Sequence, residues 1–346
     1  MRRVFNIAIL LIVIFLLFTS PAMGAQYLWQ TNAHGNDIHI FELKNFDLIK
    51  RLEVGPDPHG IAAPDDSHVV YVALEANGFE NGELLWIDPR EFEIRHRLQV
   101  GLEPHAIATT PDGHWIYIPC RDGNYWVVDG YKKTVVAKIN TGDRPHNTQA
   151  SRDGRYMYLS PIGSSKKVTV VDIQAGHKVV GHIAFMDSLR PTALSADNSL
   201  FFQHVDGLNG FQVADIQKRE VIVTVEHKTS LGWFNPIKKM GWITLDGFKR
   251  CHGLAIRPDQ KEIWSVCAEY LNIHSLIQPD FPETHSLIME GKGYWLTFAP
   301  DGKYGFVALP DRSQVAVVDA HSKRIINHLE VGEGPKRNLV ISLSME

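Results

Sequence analysis

One short stretch returns along the chain and constrains what it can fold into. Its first copy reads Pro58-His59-Gly60-Ile61-Ala62, and a turn and a β-rich segment follow. Copies return at intervals of about 40 to 60 residues, with the following residues at the second position: His59, His105, His146, Pro191, His252, Tyr294 and Lys336. A period of this length predicts a repeat architecture, in which each unit buries its apolar face against its neighbours.

Each repeat contains four segments rich in β-branched and aromatic residues, separated by Gly, Pro and Asp. The third segment ends in an aliphatic-Asp pattern, as in Val127-Val128-Asp129 and Val317-Val318-Asp319. The fourth closes on glycine, as in Leu98-Gln99-Val100-Gly101. Four strands in a repeat of about 42 residues predict the blade of a β-propeller.

The two ends of the chain predict how the ring closes. Residues 27–55 hold only the last three strands of a repeat, and residues 336–341 hold only a first strand. Joining them gives one blade built from both termini and leaves no free sheet edge. We therefore expect an all-β, seven-bladed β-propeller of four-stranded antiparallel blades, forming a single domain over residues 25–346.

The N-terminus has the layout of a secretory signal peptide. A basic start at Arg2-Arg3 precedes an apolar run from Val4 to Phe18, and small residues lead up to Gly24. The run is shorter than the roughly 20 residues that span a bilayer. The sequence predicts a cleaved signal over residues 1–24, a periplasmic or secreted protein, and no membrane span after cleavage.

Net charge limits the classes of partner that the chain can bind, and cysteine content limits its disulfide bonds. The formal net charge is −4 and no long basic run occurs, which argues against nucleic acid as a partner. The chain has three cysteines, too few for a disulfide framework. Cys251 and Cys267 stand at the two ends of one predicted hairpin, where they either form a bridge or lie on opposite faces.

The repeat resembles the family of bacterial extracytoplasmic propellers named for a YVTN motif, through its Pro-His-Gly-Ile-Ala, Pro-Asp-Gly and Tyr-Val-type segments. The wider superfamily includes the haem-binding propeller of cytochrome-type nitrite reductases and the copper-binding propeller of nitrous oxide reductase. The resemblance covers nearly the whole mature chain, although blade 4 carries Pro191 in place of histidine. It implies the propeller fold, and a metal or haem-like group as one class of ligand.

In such a ring the first strand of each blade lines the channel, so the recurring histidines should meet at one channel mouth. Imidazole is a common ligand for copper, iron and zinc, and the ring of inner strands makes the side chains converge. We therefore predict a small ligand, a transition metal or a haem-like cofactor, with these metal ligands: His59, His105, His146 and His252. Four further residues are predicted to contact the ligand: Tyr294, Lys336, Glu75 and Arg121.

Three alternatives stay open on the same residues. The histidines could have a structural role alone, in which they hydrogen-bond loop carbonyls and line the channel. They could serve a metal-assisted lactonase or lyase as base and ligands. The face could instead bind another exported protein without catalysis. The sequence has no nucleophile elbow, CxxCH haem attachment, dinucleotide fingerprint or phosphate-binding loop.

One connection between blades is longer than the others. The excess falls in residues 226–250 and includes Trp233 and Trp242. Long connections in compact domains are usually functional or disordered, and large aromatic residues argue against disorder. We expect this insertion to form a lid in which both tryptophans contact the ligand, or an extra hairpin on the seam between blades 4 and 5.

Overall fold

A computed structural model describes residues 24–228 and 251–344. It contains seven four-stranded antiparallel sheets, which confirms the predicted seven-bladed propeller. Within these ranges no helix has the length and apolarity needed to cross a membrane. The predicted signal peptide and most of the insertion, including Trp233 and Trp242, lie outside the described residues.

The first strands of the chain and the first two complete blades run as follows. The opening strands are β1 (Ala25–Asn32), β2 (Asp37–Glu42) and β3 (Asp47–Glu53). Blade 1 contains β4 (Pro58–Ala62), β5 (Val70–Leu74), β6 (Asn81–Asp88) and β7 (Glu93–Leu102), with a short 3₁₀ helix at Ala76–Gly78. Blade 2 contains β8 (Ala108–Thr109), β9 (Trp115–Cys120), β10 (Asn124–Asp129) and β11 (Thr134–Asn140).

The remaining blades follow in order. Blade 3 contains β12 (Arg144–Ala150), β13 (Tyr156–Ile162), β14 (Lys167–Asp172) and β15 (Lys178–Ala184). Blade 4 contains β16 (Leu189–Leu194), β17 (Leu200–Val205), β18 (Gly210–Asp215) and β19 (Glu220–Glu226). Blade 5 contains β20 (Cys251–Ile256), β21 (Glu262–Cys267), β22 (Tyr270–Ser275) and β23 (Glu283–Ile288). Blade 6 contains β24 (Trp295–Phe298), β25 (Tyr304–Leu309), β26 (Gln314–Asp319) and β27 (Arg324–Glu330), and the chain closes with β28 (Pro335–Leu343).

Blade 7 is built from both ends of the chain, as the sequence predicted. Its strand order is β28-β1-β2-β3. The antiparallel register of β28 against β1 pairs Ala25 with Leu343 and Trp29 with Leu339. The last strand therefore joins the first and completes the ring.

The apolar core is divided among the seams between blades. Each buried cluster combines residues of two neighbouring blades, as where Trp86 of blade 1 packs in one cluster with Ile116 of blade 2. The cluster between blades 4 and 5 likewise joins Phe202 to Ile263. Because every blade uses both faces in this way, a closed ring leaves no apolar sheet face exposed.

The aliphatic-Asp pattern of the sequence has a local cause. The aspartate ends the third strand, and its carboxylate accepts backbone N–H groups of the turn that follows. Asp129 Oδ1 accepts from the N–H groups of Tyr131 and Lys132 at 3.1 and 2.8 Å. Asp319 does the same for residues 321 and 322. The aspartate carboxylate thus accepts hydrogen bonds from backbone N–H groups that have no backbone acceptor within the turn.

Cys251 and Cys267 form a disulfide, so the alternative in which they lie on opposite faces is wrong. The reason is a shift of register within the hairpin of β20 and β21. Cys251 pairs with Cys267, but Gly253 pairs with Val266, so His252 is an extra residue on the inner strand. A simple alternation count along the sequence misses such an insertion.

Candidate functional site

A β-bulge recurs where the inner strands begin, and it positions the histidines. The inner strand carries one extra residue against its partner in blades 1, 3, 4, 5 and 7, within these intervals: Pro58–Ile61, Arg144–Asn147, Leu189–Thr192, Cys251–Gly253 and Pro335–Asn338. His59, His146 and His252 lie inside three of them. A bulge bends the strand and redirects its side chains. We call this end of the channel the channel mouth.

Five aromatic side chains form a closed circle at the channel mouth. The ring centroids of His59 and His105 are 3.9 Å apart, and those of His105 and His146 are 4.3 Å apart. His146 and His252 are separated by 6.2 Å, and His252 stacks on Tyr294 at 4.0 Å. Tyr294 returns to the start, with its hydroxyl 3.1 Å from Nε2 of His59.

Glu75 lies against two members of this circle. Its Oε1 is 2.9 Å from Nδ1 of His59 and also bonds Nδ1 of His105. Glu75 follows β5 and precedes the 3₁₀ helix, in the loop that the sequence indicates. The carboxylate accepts the Nδ1 proton of His105, so Nε2 of that ring carries the lone pair.

Nε2 of His105 is shielded from solvent and has no hydrogen-bonding partner among the described residues. Buried polar atoms in native proteins are nearly always paired, so an exception needs an explanation. One ligand atom each from His59, Glu75 and His105 lies within 4.8 Å of the others. These donor types are typical of zinc, copper and non-haem iron.

Burial and charge set the protonation of the circle. Burial lowers the pKa of His59 to about 3, and it also holds the pKa of His146 and His252 well below the ordinary range. Burial alone would raise the pKa of Glu75, but the contacts with His59 and His105 outweigh it and lower that pKa. The mouth therefore combines neutral imidazoles with a carboxylate, the protonation states in which these groups bind metals.

His146 and His252 are held by other partners. Nδ1 of His146 accepts a hydrogen bond from the Asn147 amide at 2.6 Å. His252 donates through Nδ1 to the backbone carbonyl of Tyr294 at 3.0 Å. Neither residue belongs to the group of donors formed by His59, Glu75 and His105. Of the four predicted ligands, His59 and His105 thus converge on Glu75, while His146 and His252 lie beside this pair.

Arg337 is a functional candidate that sequence reasoning missed. It is 5% exposed, its guanidinium lies 3.5 Å from the Trp295 ring centroid, and Nη2 donates to Asn147 Oδ1 at 2.8 Å. Burial lowers its pKa to about 10, which leaves the group cationic at neutral pH. Its Nε has no partner among the described residues. The predicted neighbour, Lys336, lies instead over the Tyr294 ring at 5.1 Å.

A cavity of about 830 Å³ occupies the channel. Its lining includes Arg337, Asn147 and Trp295, but none of the four histidines. Gly60 follows His59 on the inner strand of blade 1, and no larger residue fits there, because an added Cβ would collide with the carbonyl of His105.

Arg121 is not drawn into this arrangement, since its guanidinium pairs with Glu103. Trp233 and Trp242 fall in the part of the chain that the structure leaves undescribed, so their predicted contacts stay predictions. The signal that could have identified Arg337 is the spacing of the repeat. It stands one position after Lys336, and the corresponding positions of blades 1, 2 and 5 carry the small residues Gly60, Ala106 and Gly253.

Sequence comparison supports the superfamily over part of the chain. A family model described as the cytochrome D1 heme domain matches residues 66–174. The matched segment runs from blade 1 into blade 3 and contains Glu75, His105 and His146. No curated protein matches the chain.

Several solved structures share the fold. Hydrazine synthase of Kuenenia stuttgartiensis has a TM-score of 0.66 at 16% identity, over 84% of this chain and 96% of that chain. Dihydro-heme d1 dehydrogenase in complex with DHE has a TM-score of 0.63 at 14% identity, over 93% and 77%. The periplasmic gluconolactonase of Pseudomonas aeruginosa has a TM-score of 0.73 at 14% identity, over 92% and 100%. The family model covers less than half of the chain, and at these identities the solved structures show a shared fold, which in this chain is a seven-bladed β-propeller.

Proposed function

We propose that the channel mouth binds a transition metal, either as an ion or as the centre of a haem-like cofactor, through His105 and its neighbours. The observation that carries this proposal is the unpartnered, buried Nε2 of His105, on a ring whose Nδ1 is fixed by Glu75. A carboxylate behind the histidine is the usual support of a metal ligand, because it orients the ring and makes the other nitrogen more basic.

A bare ion would take His105 together with His59 and Glu75. These three donors lie within 4.8 Å of one another, which is compatible with a shared ion after small side-chain movements. Two imidazoles and one carboxylate also leave coordination positions open for water or a substrate. The ion would polarise whatever group occupied those positions.

A haem-like cofactor is the second form of the proposal, and the family match over residues 66–174 favours it. Here His105 would hold the cofactor's iron, and Glu75 would orient the His105 ring. Arg337 in the channel has an unpartnered Nε, which suits an acidic substituent of such a ring. The cofactor, when bound, would supply redox chemistry, while the chain orients it and shields it from water.

The test is metal analysis and visible spectroscopy of the untagged protein purified from the periplasm. We expect about one transition metal per chain, with a Soret band only if the metal is in a macrocycle. His105→Ala should lose the metal, whereas the exposed His285→Ala serves as the matched control and should retain it. Metal-free protein whose melting temperature does not respond to added Cu²⁺, Zn²⁺ or haem would overturn the proposal.

A metal-assisted hydrolase is a further candidate, because the gluconolactonase shares the fold. A metal at the mouth could polarise a lactone carbonyl, and the circle of histidines offers a neutral base nearby. Turnover of gluconolactone by the metal-loaded wild type, abolished in His105→Ala, would support this activity. Metal binding without turnover would restrict the function to ligand binding.

We also infer that the protein acts outside the cytoplasm, as a signal over residues 1–24 implies. Mass spectrometry of the protein from cell fractions tests this inference. We expect a chain that begins at Ala25 in the periplasm or medium, and a retained Met1 in the cytoplasmic fraction would contradict it.

A further inference from the structure

A second group of histidines lies away from the mouth, at the seam between blades 4 and 5. His204 comes from β17, and His227 directly follows β19. Ser265 and His274 come from β21 and β22 of blade 5. All four side chains are fully buried, and the disulfide of Cys251 and Cys267 lies beside them at 1% and 2% exposure. We call this group, with the disulfide, the seam cluster.

The donor and acceptor of each hydrogen bond in the seam cluster can be assigned, beginning from the carbonyl of Phe281. His274 Nδ1 lies 2.8 Å from the carbonyl of Phe281, which can only accept, so Nδ1 carries the proton. His274 Nε2 then accepts from His227 Nδ1 at 2.9 Å. His227 Nε2 in turn accepts from the Ser265 hydroxyl at 2.8 Å.

The end of this chain is His204. Its Nε2 lies 2.8 Å from Ser265 Oγ, and it must donate because the hydroxyl proton is already used. His204 Nδ1 therefore holds a lone pair, and it is buried without a partner among the described residues. Each of these hydrogen bonds therefore has an assigned donor and acceptor, and one acceptor, His204 Nδ1, has no donor among the described residues.

The sulfur atoms stand close to this ring. A ring nitrogen of His204 and the sulfurs of Cys251 and Cys267 lie within 4.8 Å of one another. Ser265 Oγ, which bonds His204, is also 3.5 Å from Cys267 Sγ. The disulfide links two strands of one hairpin that their own backbone ladder already joins. Reduction should therefore leave both sulfurs near His204.

We propose that the seam cluster is a metal site that opens when the Cys251–Cys267 disulfide is reduced, with both thiolates and His204 as ligands. Thiolates with one imidazole select thiophilic ions such as Zn²⁺ or Cu⁺. Among these, a divalent ion fits best, because two thiolates and one divalent ion leave no net charge in a site that excludes water. This site is independent of the metal proposed for the channel mouth.

The chemistry balances in two steps. A dithiol reductant gives two electrons and two protons to the disulfide, breaks the S–S bond and leaves as its own disulfide. The ion then displaces one proton from each thiol and forms two metal–sulfur bonds, so two protons are released.

Zinc binding to the oxidised and reduced protein tests the proposal. The full chain carrying His105→Ala, which removes the mouth ligand, is treated anaerobically with dithiothreitol, desalted and titrated with Zn²⁺ against a chromophoric chelator. We expect the reduced protein to bind one more zinc than the oxidised protein. Cobalt in place of zinc should give a thiolate-to-metal charge-transfer band in the near ultraviolet.

Two variants assign the extra zinc. Cys267→Ser should abolish it together with the cobalt band, whereas Cys120→Ser removes the free buried thiol and should leave both unchanged. His204→Gln keeps a polar side chain there and should weaken zinc at least 10-fold. The proposal is wrong if oxidised and reduced protein bind equal zinc, if Cys267→Ser keeps the extra zinc, or if reduction unfolds the chain.

Discussion

The channel mouth and the seam cluster both gather histidines, but they differ in what stands behind the rings. At the mouth, His59 and His105 turn to the carboxylate of Glu75. In the seam cluster, hydrogen bonds connect the three rings, with Ser265 between His204 and His227, and end at the carbonyl of Phe281. A carboxylate compensates the charge of a bound cation, whereas a carbonyl oxygen only determines which ring nitrogen carries the proton.

This difference has a consequence for metal binding. Because Glu75 keeps its charge whether or not the disulfide is intact, we expect the mouth to bind an ion in both redox states of the protein. The proposed ligands of the seam cluster gain negative charge only when the disulfide opens, and the carboxylate of Glu283 lies within 4.8 Å of the ring nitrogens of His227 and His274 rather than among those ligands. Two histidine clusters in one ring can therefore respond to different signals.

Replacing Glu75, the carboxylate that contacts His59 and His105 at the mouth, should have the largest effect. Glu75→Gln removes the charge and keeps the size, and we expect metal affinity at the mouth to fall by about 10- to 100-fold. A fall beyond that range would indicate that Glu75 is itself a ligand of a bare ion. Isothermal titration measures the change, and Glu103→Gln is the matched control. Unchanged affinity would remove Glu75 from the site.

Breaking the hydrogen-bond chain at its centre should cost stability at the seam. Ser265→Ala leaves Nε2 of both His204 and His227 without a partner in a dry interior. Each buried unsatisfied group costs about 1–3 kcal/mol, so the free energy of unfolding should fall by about 2–6 kcal/mol. Chemical denaturation compares it with Ser160→Ala, which removes one bond to Gln203 at 3.2 Å. Equal losses in both variants would mean that the chain is not continuous.

Acid should destabilise the seam through the same rings. Burial lowers the pKa of His274 and holds that of His227 well below the ordinary range, so both stay neutral in the folded protein. The unfolded chain takes up their protons below about pH 6.5, so stability is present above that pH and is lost as pH falls. Each ring contributes a slope of about 1.4 kcal/mol per pH unit.

The variant His274→Gln isolates this contribution. Unfolding curves just below pH 6.5 should have a slope smaller by up to about 1.4 kcal/mol per pH unit than that of the wild type. The exposed His285→Gln should leave the slope unchanged. An unaltered slope in His274→Gln would mean that the ring is already protonated in the folded protein.

The smallest effect is expected at Arg337, which is a buried cation without a carboxylate bonded to it. Arg337→Met keeps the volume and removes the charge, so we expect the free energy of unfolding to stay the same or rise by about 1–2 kcal/mol. Arg337→Lys keeps the charge and is the comparison in thermal melts. A loss above about 2 kcal/mol in Arg337→Met would show that the guanidinium is a net stabilising partner.

The repeat made the fold predictable, because period, turn residues and the incomplete terminal repeats all required a closed ring. It also predicted that His59, His105, His146 and His252 would meet. It did not predict which nitrogen each ring presents, since this depends on partners such as Glu75 and Asn147. The extra residue in each bulge changes which side chains of the inner strand face the channel. For this reason Arg337 enters the channel where the sequence pattern predicts Lys336.

The seam cluster was not predictable from the repeat. Its members come from different strands of two blades, and His204, His227 and His274 share no repeat position. Only the pairing of blade 4 with blade 5 brings them together. The disulfide depended on the bulge at His252, which sets the register of Cys251 against Cys267.

The closing strand has a consequence for how the protein matures. The strand β28 is synthesised after the other described strands, pairs with β1 and also carries Arg337 into the channel. Contacts between the ends of a chain form slowly, because the whole intervening loop must close. A nascent or truncated chain therefore keeps an unpaired edge on β1 and an incomplete channel. The ligand site is finished only when the ring is, so a partly folded copy cannot present the complete site.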